Sequence, residues 1–220
     1  MSKTLSVVLT SGGLNSAVTA ALEAQECRLA LLHFQYGQQA QHCEQRAFEA
    51  VCDWLDPQER RIATLGDWPG LTDSALVQEH HDIEDAAAVR NFAPASTFVP
   101  MLAPVMLCVG AAWAQKLNAQ RIVWGICADN PGHYPDHSDA ARLLTWQLMG
   151  QCLGDRLART IEAPLAQYPK PAVAALAAQL KVPVNATWSC LRGGVDPCGR
   201  CIGCAGRKAA LGQTKVAQKA

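Results

Sequence analysis

Leu5-Ser6-Val7-Val8-Leu9-Thr10-Ser11-Gly12-Gly13-Leu14-Asn15-Ser16 is the stretch that decides the architecture. Leu5 to Leu9 is a short apolar run with two valines, the pattern of a buried strand. Ser11-Gly12-Gly13 follows at once, and a helical pattern opens at Ser16 and runs through Leu22. On open α/β sheets, ligands sit beyond the C-terminal strand ends, close to helix N-termini. Ser11, Gly12, Gly13, Leu14, Asn15 and Ser16 fall at that place. The glycines let backbone N–H groups approach an anion, Ser11 and Ser16 offer hydroxyl donors, and the helix start adds positive potential. The spacing predicts a phosphate loop. The same residues also read as a glycine turn with Ser16 as an ordinary N-cap. No Gly-Lys-Ser or Gly-Lys-Thr closes the loop, which excludes a Walker-type site.

Working outward, Arg28 to Phe34 predicts a second buried strand, ended by the polar Tyr36-Gly37-Gln38. Gln41 to Trp54 is amphipathic at helical spacing and stops near Asp56-Pro57, and Arg61 to Leu65 predicts a third strand. Alternating strands and helices are the signature of a parallel sheet covered on both faces. Trp68 to Ala95 is polar and turn-rich and reads as a loop or mobile lid. Met101 to Leu117 predicts a mostly buried helix, Arg121 to Cys127 a fourth strand, and Ala128 to Ser138 the loop at its end. Asp139 to Leu157 and Pro171 to Leu180 predict two more helices. A further helix is expected after Cys204, fraying over the Lys/Gln-rich end.

Cys190, Cys198, Cys201 and Cys204 form the second strong signal. Two overlapping Cys-x-x-Cys steps and one upstream cysteine bring four thiolates within reach of one tetrahedral centre, the ligand set that structural zinc selects. Gly199 and Gly203 permit sharp turns between the ligands, and Pro197 stiffens the entry. A disulfide pair or free core thiols is the plainer alternative. Cys27, Cys43, Cys52, Cys108, Cys127 and Cys152 are scattered singly in apolar or helical patterns and read as buried thiols.

At 220 residues, half of them hydrophobic, the chain can build one large core. We expect an α/β domain over 1–185 and a knuckle with a helix over 186–220. A formal net charge of zero argues against nucleic-acid binding driven by bulk charge. The run up to Leu9 is too short for a signal peptide, and no segment has the apolar length of a membrane span. The chain reads as cytoplasmic.

Other candidates carry weaker signals. His80 and His81 in a polar loop read as solvated rather than as metal ligands. His133 and His137 flank Tyr134-Pro135-Asp136, and one of them is placed to face a ligand. Trp113, Trp124 and Trp146 read as core. Arg192, beside the knuckle, is within conceivable reach of a phosphate.

With these residues in place, the chain resembles the 7-cyano-7-deazaguanine synthase family of PP-loop ATP pyrophosphatases. Ser11-Gly12-Gly13-Leu14-Asn15-Ser16 resembles the family's Ser-Gly-Gly-x-Asp-Ser. Phe34-Gln35-Tyr36-Gly37-Gln38 resembles Phe-Asp-Tyr-Gly-Gln, and Thr97-Phe98-Val99-Pro100 resembles Thr-Phe-Val-Pro. Gly132-His133-Tyr134-Pro135-Asp136 resembles Ser-Gly-Tyr-Pro-Asp, Glu162-Ala163-Pro164-Leu165 a Thr-Pro-Leu segment, and the four cysteines match in order and spacing.

The resemblance implies a Rossmann-like, doubly wound PP-loop fold with a C-terminal helical portion and a four-cysteine zinc knuckle. It implies an ATP-dependent ligase that adenylates the carboxylate of 7-carboxy-7-deazaguanine and converts it with ammonia to the amide and then the nitrile. Ser11, Gly12, Gly13, Leu14, Asn15 and Ser16 would hold ATP with Mg²⁺, with Ser11, Ser16 and Lys170 in catalytic roles. Tyr36, Gly37, Gln38, Tyr134, Pro135, Asp136 and His137 would shape the substrate pocket, and zinc would be structural. A homodimer is implied, with no direct nucleic-acid or membrane partner. The sequence departs from the family pattern at Asn15 and Gln35 (each an Asp there) and at Met101-Leu102-Ala103 (Gly-Arg-Asn there). It also departs at His137 (a Cys there) and at Pro169 and Pro171 around Lys170. A paralogue acting on a different carboxylic acid, or a non-catalytic nucleotide- or partner-binding protein, are the alternatives these departures leave open.

Overall fold

The computed structural model describes residues 3–90, 93–129, 132–154 and 159–217. Strand β1 (Leu5–Leu9) leads into helix α1 (Leu14–Glu26), followed by β2 (Arg28–Gln35), α2 (Gln41–Leu55) and β3 (Glu59–Thr64). One helical turn, α3 (Trp68–Leu71), precedes α4 (Leu102–Lys116), β4 (Arg121–Trp124), α5 (Asp139–Leu153) and β5 (Thr160–Glu162). Helix α6 (Lys170–Gln179), a 3-10 turn (Val184–Ala186) and α7 (Ile202–Ala217) complete the order.

The strands form one parallel sheet in the order β3-β2-β1-β4-β5, with Val8 level with Leu31 on one side and Val123 on the other. Side-chain alternation divides two apolar layers across it. Val8, Leu29, Leu31 and Val123 pack with α1, α2 and α6, whereas Val7, Leu32, Ile122 and Ile161 pack with α4 and α5. Val7, Val8, Leu31 and Ile122 are fully buried, each such side chain contributing about 1.5–3 kcal/mol. The doubly wound architecture expected from the sequence is the one observed. No helix among the described residues is long and apolar enough to cross a membrane.

Several boundaries differ from expectation. Helix α1 begins at Leu14, because Gly13 takes an extended conformation and caps it directly. Ser16 therefore lies inside the first turn and is not the N-cap. Strand β4 stops at Trp124, and the expected helix end at Leu157 lies outside the described residues, as do Asn91, Phe92, Asn130 and Pro131 of the two long loops. Strand β5 was not foreseen; three residues are too few to display a period.

The segment expected to be a loop or mobile lid is largely a loop, and it is packed over the cysteines. Ala75, Leu76, Val77 and Ile83 are buried with Cys190, Cys201 and Cys204. Asp85 bridges Cys201 in antiparallel fashion, and Ala86 donates its N–H to the Arg200 carbonyl at 2.8 Å. Arg192 does not reach for a phosphate either: its guanidinium bonds the Ile83 carbonyl and, at 2.9 Å, the Asp85 carboxylate.

Candidate functional site

The central strand β1 ends at Thr10, whose N–H still donates to the Leu32 carbonyl at 2.8 Å. The chain then turns at Gly12, with φ +81°, against the first turns of α2. A Cβ there would lie 2.7 Å from Ala47 Cβ, the Glu44 carbonyl and the Phe48 nitrogen, so only glycine fits. Ser11 Oγ accepts from the Gly13 N–H at 3.2 Å and lies 3.3 Å from Ser16 Oγ, which donates to the Gly13 carbonyl at 3.0 Å. The first-turn amides of α1 have no helical carbonyl to meet and carry the positive end of the helix dipole.

This loop opens onto a cavity of about 320 Å³ above the C-terminal edge of the sheet. Ser11, Gly13, Leu14, Asn15 and Ser16 form one wall, and His33, Phe34, Tyr36 and Glu44 another. Leu102, Ala103 and Met106 of α4 and Trp124, Gly125, Ile126 and His137 near β4 continue it. Lys170, Trp188, Ser189, Leu191 and the residues Gly203, Gly206, Arg207 and Ala210 of α7 close it. Gly125 lets the end of β4 approach α1: a Cβ there would stand 2.9 Å from Ser16 Cα.

Of the residues expected to touch substrate, Tyr36 and His137 line the cavity, but Gly37, Gln38, Tyr134, Pro135 and Asp136 do not. Their contacts explain why. Gln38 is buried, accepting from the Tyr36 N–H at 2.9 Å and donating to the Phe34 carbonyl at 3.0 Å and the Glu44 carboxylate at 2.9 Å. Gly37, at φ +84°, packs against Pro69. Asp136 accepts from the Ala103 N–H at 3.2 Å and so serves the start of α4, while Pro135 is exposed. Tyr134 stands behind His137, with ring centroids 5.3 Å apart, and its hydroxyl pairs with that of Thr97 at 2.9 Å.

Gly12 shapes the loop without lining the cavity. Gln35 points to α2, donating to Gln45 at 2.8 Å, so the amide there does not enter the cavity. His133 is not in the cavity wall, whereas His137 is. Trp124 was expected in the core; it is only partly buried, meets His137 edge-on at 5.3 Å and lines the cavity.

Burial sets the titration of the wall. The Glu44 carboxyl is pushed up to about 7 by burial, against the lowering bond from Gln38. His137 is pushed down to about 4 by burial and is neutral near pH 7. Burial also raises the Tyr36 phenol and lowers His33, whose Nδ1 faces the Thr10 carbonyl at 3.1 Å. Burial likewise lowers the Arg207 guanidinium. Glu44, Trp188 and Arg207 escaped the sequence reading. The signal available for Arg207 was its place one helical turn after Cys204, beyond glycines at i and i+3.

The cysteines gather as expected. One sulfur from each of Cys190, Cys198, Cys201 and Cys204 lies within 4.8 Å of every other, and Cys198 Sγ and Cys204 Sγ are 3.9 Å apart. A tetrahedral zinc site with bonds near 2.3 Å sets its sulfurs about 3.8 Å apart, so the donor set fits. The N–H groups of Leu191, Cys198 and Cys201 point at sulfurs of the cluster at 3.3–3.5 Å, an arrangement that favours thiolates. Among the described residues this is the only group of three or more potential ligands so gathered; exposed His80 and His81 do not form another.

Comparison with known proteins now decides the family. The queuosine biosynthesis protein QueC family matches residues 5–215. The chain belongs to the QueC family. It is 34% identical over 221 residues to the 7-cyano-7-deazaguanine synthase of Parasynechococcus marenigrum (strain WH8102), covering 96% of this chain and 94% of that one. Identity is 35% over 213 residues with the synthase of Synechococcus sp. (strain RCC307), covering 93% of each. It is 27% over 195 residues with that of Campylobacter jejuni (strain RM1221), covering 88% and 87%. Among solved structures, the U34-tRNA thiolase NcsA from Methanococcus maripaludis aligns with all of this chain and 68% of its own length, at 14% identity and a TM-score of 0.53. That likeness concerns the fold. The QueC relationship places the chain among ATP-utilising synthases of queuosine biosynthesis.

Proposed function

We propose that the chain is an ATP-dependent ligase of the 7-cyano-7-deazaguanine synthase type. The observation that carries this reading is a single cavity bounded both by the phosphate loop and by the helix that leaves the cysteine cluster. A carboxylate oxygen of 7-carboxy-7-deazaguanine attacks the α-phosphorus of ATP, and pyrophosphate leaves. Ammonia then attacks the acyl carbon, the bond to AMP breaks, and the amide forms with release of protons. The amide oxygen then attacks the α-phosphorus of a second ATP with loss of pyrophosphate, and breaking of its bond to carbon, with loss of the two amide protons, releases it in AMP and yields the nitrile. ATP supplies the leaving group, so the protein's work is positioning and charge stabilisation.

Ser11, Gly13, Leu14, Asn15 and Ser16 would cradle phosphate oxygens on a turn set by Gly12, with Lys170 lining the same cavity. Asn15 and Glu44 would offer an amide and a carboxylate oxygen in the wall to a magnesium ion carried in by the triphosphate. Tyr36, Trp124, His137 and Trp188 offer flat faces to a bicyclic base. Four thiolates would hold zinc in a closed, structural site. Exposed Leu144 and Leu148 on α5 supply an apolar strip that agrees with assembly as a homodimer, and the free thiols agree with a cytoplasmic setting.

One feature supports a second reading. Leu102 and Ala103 present an apolar surface to the cavity where the family pattern carries Arg-Asn, which suits a substrate less polar than the deazapurine acid. Incubating metal-replete protein with ATP, Mg²⁺, ammonium and 7-carboxy-7-deazaguanine tests the first reading: AMP and nitrile are expected. AMP release only with another carboxylic acid moves the assignment to the paralogue, and none with any acid defeats both.

A further inference from the structure

We infer that Arg207, on the helix that grows out of the cysteine cluster, is a phosphate-binding residue acting with Lys170 in the cavity that the Ser11–Ser16 loop also lines. The inference rests on the proposed function only in taking the anion to be the polyphosphate of a nucleotide.

Three observations converge on it. Arg207 donates to Thr187 Oγ1 at 2.7 Å, Ser189 Oγ at 3.3 Å and the Val184 carbonyl at 2.6 Å. All three acceptors are uncharged, and among the described residues no carboxylate pairs with it. A guanidinium carries five N–H donors, so these bonds orient the group and leave donors over. Second, Lys170 Nζ lies against Gly206, where any Cβ would collide with it, and Lys170 also lines the cavity; its backbone N–H donates to the Asp129 carboxylate at 2.7 Å, but among the described residues no carboxylate pairs with its ammonium. Two cations therefore share one wall. Among the described residues Glu44 is the only carboxylate in the cavity lining, and burial holds back its ionisation.

Third, the segment Arg207 grips is tied to the phosphate loop. Trp188, between Thr187 and Ser189, donates its N–H to the Gly12 carbonyl at 3.0 Å. Gly13 also adjoins the Trp188 carbonyl, which a Cβ there would meet at 3.4 Å, an ordinary van der Waals contact. Arg207 is thus held by a strip of chain that is itself hydrogen-bonded to the loop. Gly203 and Gly206 on the same helix let it come close to Ser189 and Lys170, since a Cβ on either would run into them. Forked N–H donors sharing a cavity with helix-end amides make a site for phosphate oxygens rather than for a neutral ring.

The test uses metal-replete protein, inorganic pyrophosphate and adenosine as separate calorimetric probes. Arg207→Gln and Lys170→Gln are each expected to weaken pyrophosphate binding at least tenfold and leave adenosine binding within twofold. Arg207→Lys keeps the charge but not the fork, and should restore part of the pyrophosphate affinity. Equal weakening of both probes would make Arg207 a brace for residues 184–189 and overturn the inference. Unchanged pyrophosphate binding in Arg207→Gln, or none in the parent protein, would overturn it too. Pyrophosphate binding that depends on Arg207 without AMP release from any acid would defeat the ligase reading and leave this one standing.

Discussion

The backbone N–H of Trp188 donates to the carbonyl of Gly12 at 3.0 Å, and the indole N–H of the same Trp188 donates to the Cys190 carbonyl at 2.7 Å. One residue therefore links the phosphate-loop turn to the first cysteine of the cluster. Metal removal should be felt at the glycine turn. Stripping the ion with a chelator, or Cys198→Ser, is expected to lower the melting temperature by about 2–4 °C for each kcal/mol of stability lost in a chain of this size. ATP affinity should fall in parallel, and metal analysis should give one zinc per chain. ATP binding unchanged in the stripped but folded protein would show the link to be slack.

Gly203 lies where α7 crosses Ser189, and a Cβ on it would run into the Ser189 carbonyl. Gly203→Ala should destabilise the fold by about 2 kcal/mol, the ordinary cost of overpacking against backbone. Denaturant unfolding measures this directly. A midpoint equal to the parent's would mean that residue 189 yields freely.

Two cavity residues should oppose each other in pH dependence. Glu44 is harder to ionise in the fold, so its contribution to stability is full below about pH 4.5 and is lost as pH rises through about 7. His137 is harder to protonate in the fold, so its contribution is present above about pH 6.5 and is lost as pH falls through about 4. Between these limits the slopes cancel in part. Melting curves of Glu44→Gln should show a steeper loss toward acid, and those of His137→Asn a steeper loss toward neutrality. Profiles parallel to the parent's would remove both assignments.

Arg121 at the start of β4 meets Glu23 of α1 at 3.2 Å and Glu162 of β5, and the buried Glu23 also accepts from Ser6 Oγ at 2.6 Å. Arg121→Met leaves the Glu23 carboxylate buried without its cation and should cost about 3 kcal/mol. Adding Glu23→Gln to that variant should recover much of the loss. Additive losses in the double-variant cycle would show the pair to be uncoupled.

The sequence made legible what local chemistry dictates. Val7 and Val8 before two glycines announce a strand feeding a helix, and four cysteines at short spacing announce a cluster without help from tertiary structure. The polar loop after Trp68 misled, because its few apolar residues, Ala75 to Val77 and Ile83, have no periodicity until the cysteine cluster packs against them. Asp136 likewise looked like a ligand-facing acid, yet its partner is the backbone of Ala103. Arg207 and Glu44 were hidden for the converse reason: each sits in an ordinary helical pattern, and only the crossing of α2 and α7 with the sheet brings them to one cavity.

That closure has a consequence for synthesis. The cavity takes Leu9 and Ser11 from the first strand and loop and Arg207 and Ala210 from the last helix. A ribosome adding about 5–20 residues per second needs roughly 10–40 s to travel between them. During that interval the glycine turn has emerged without the wall that faces it. The cavity is thus not closed until α7 has cleared the exit tunnel and docked.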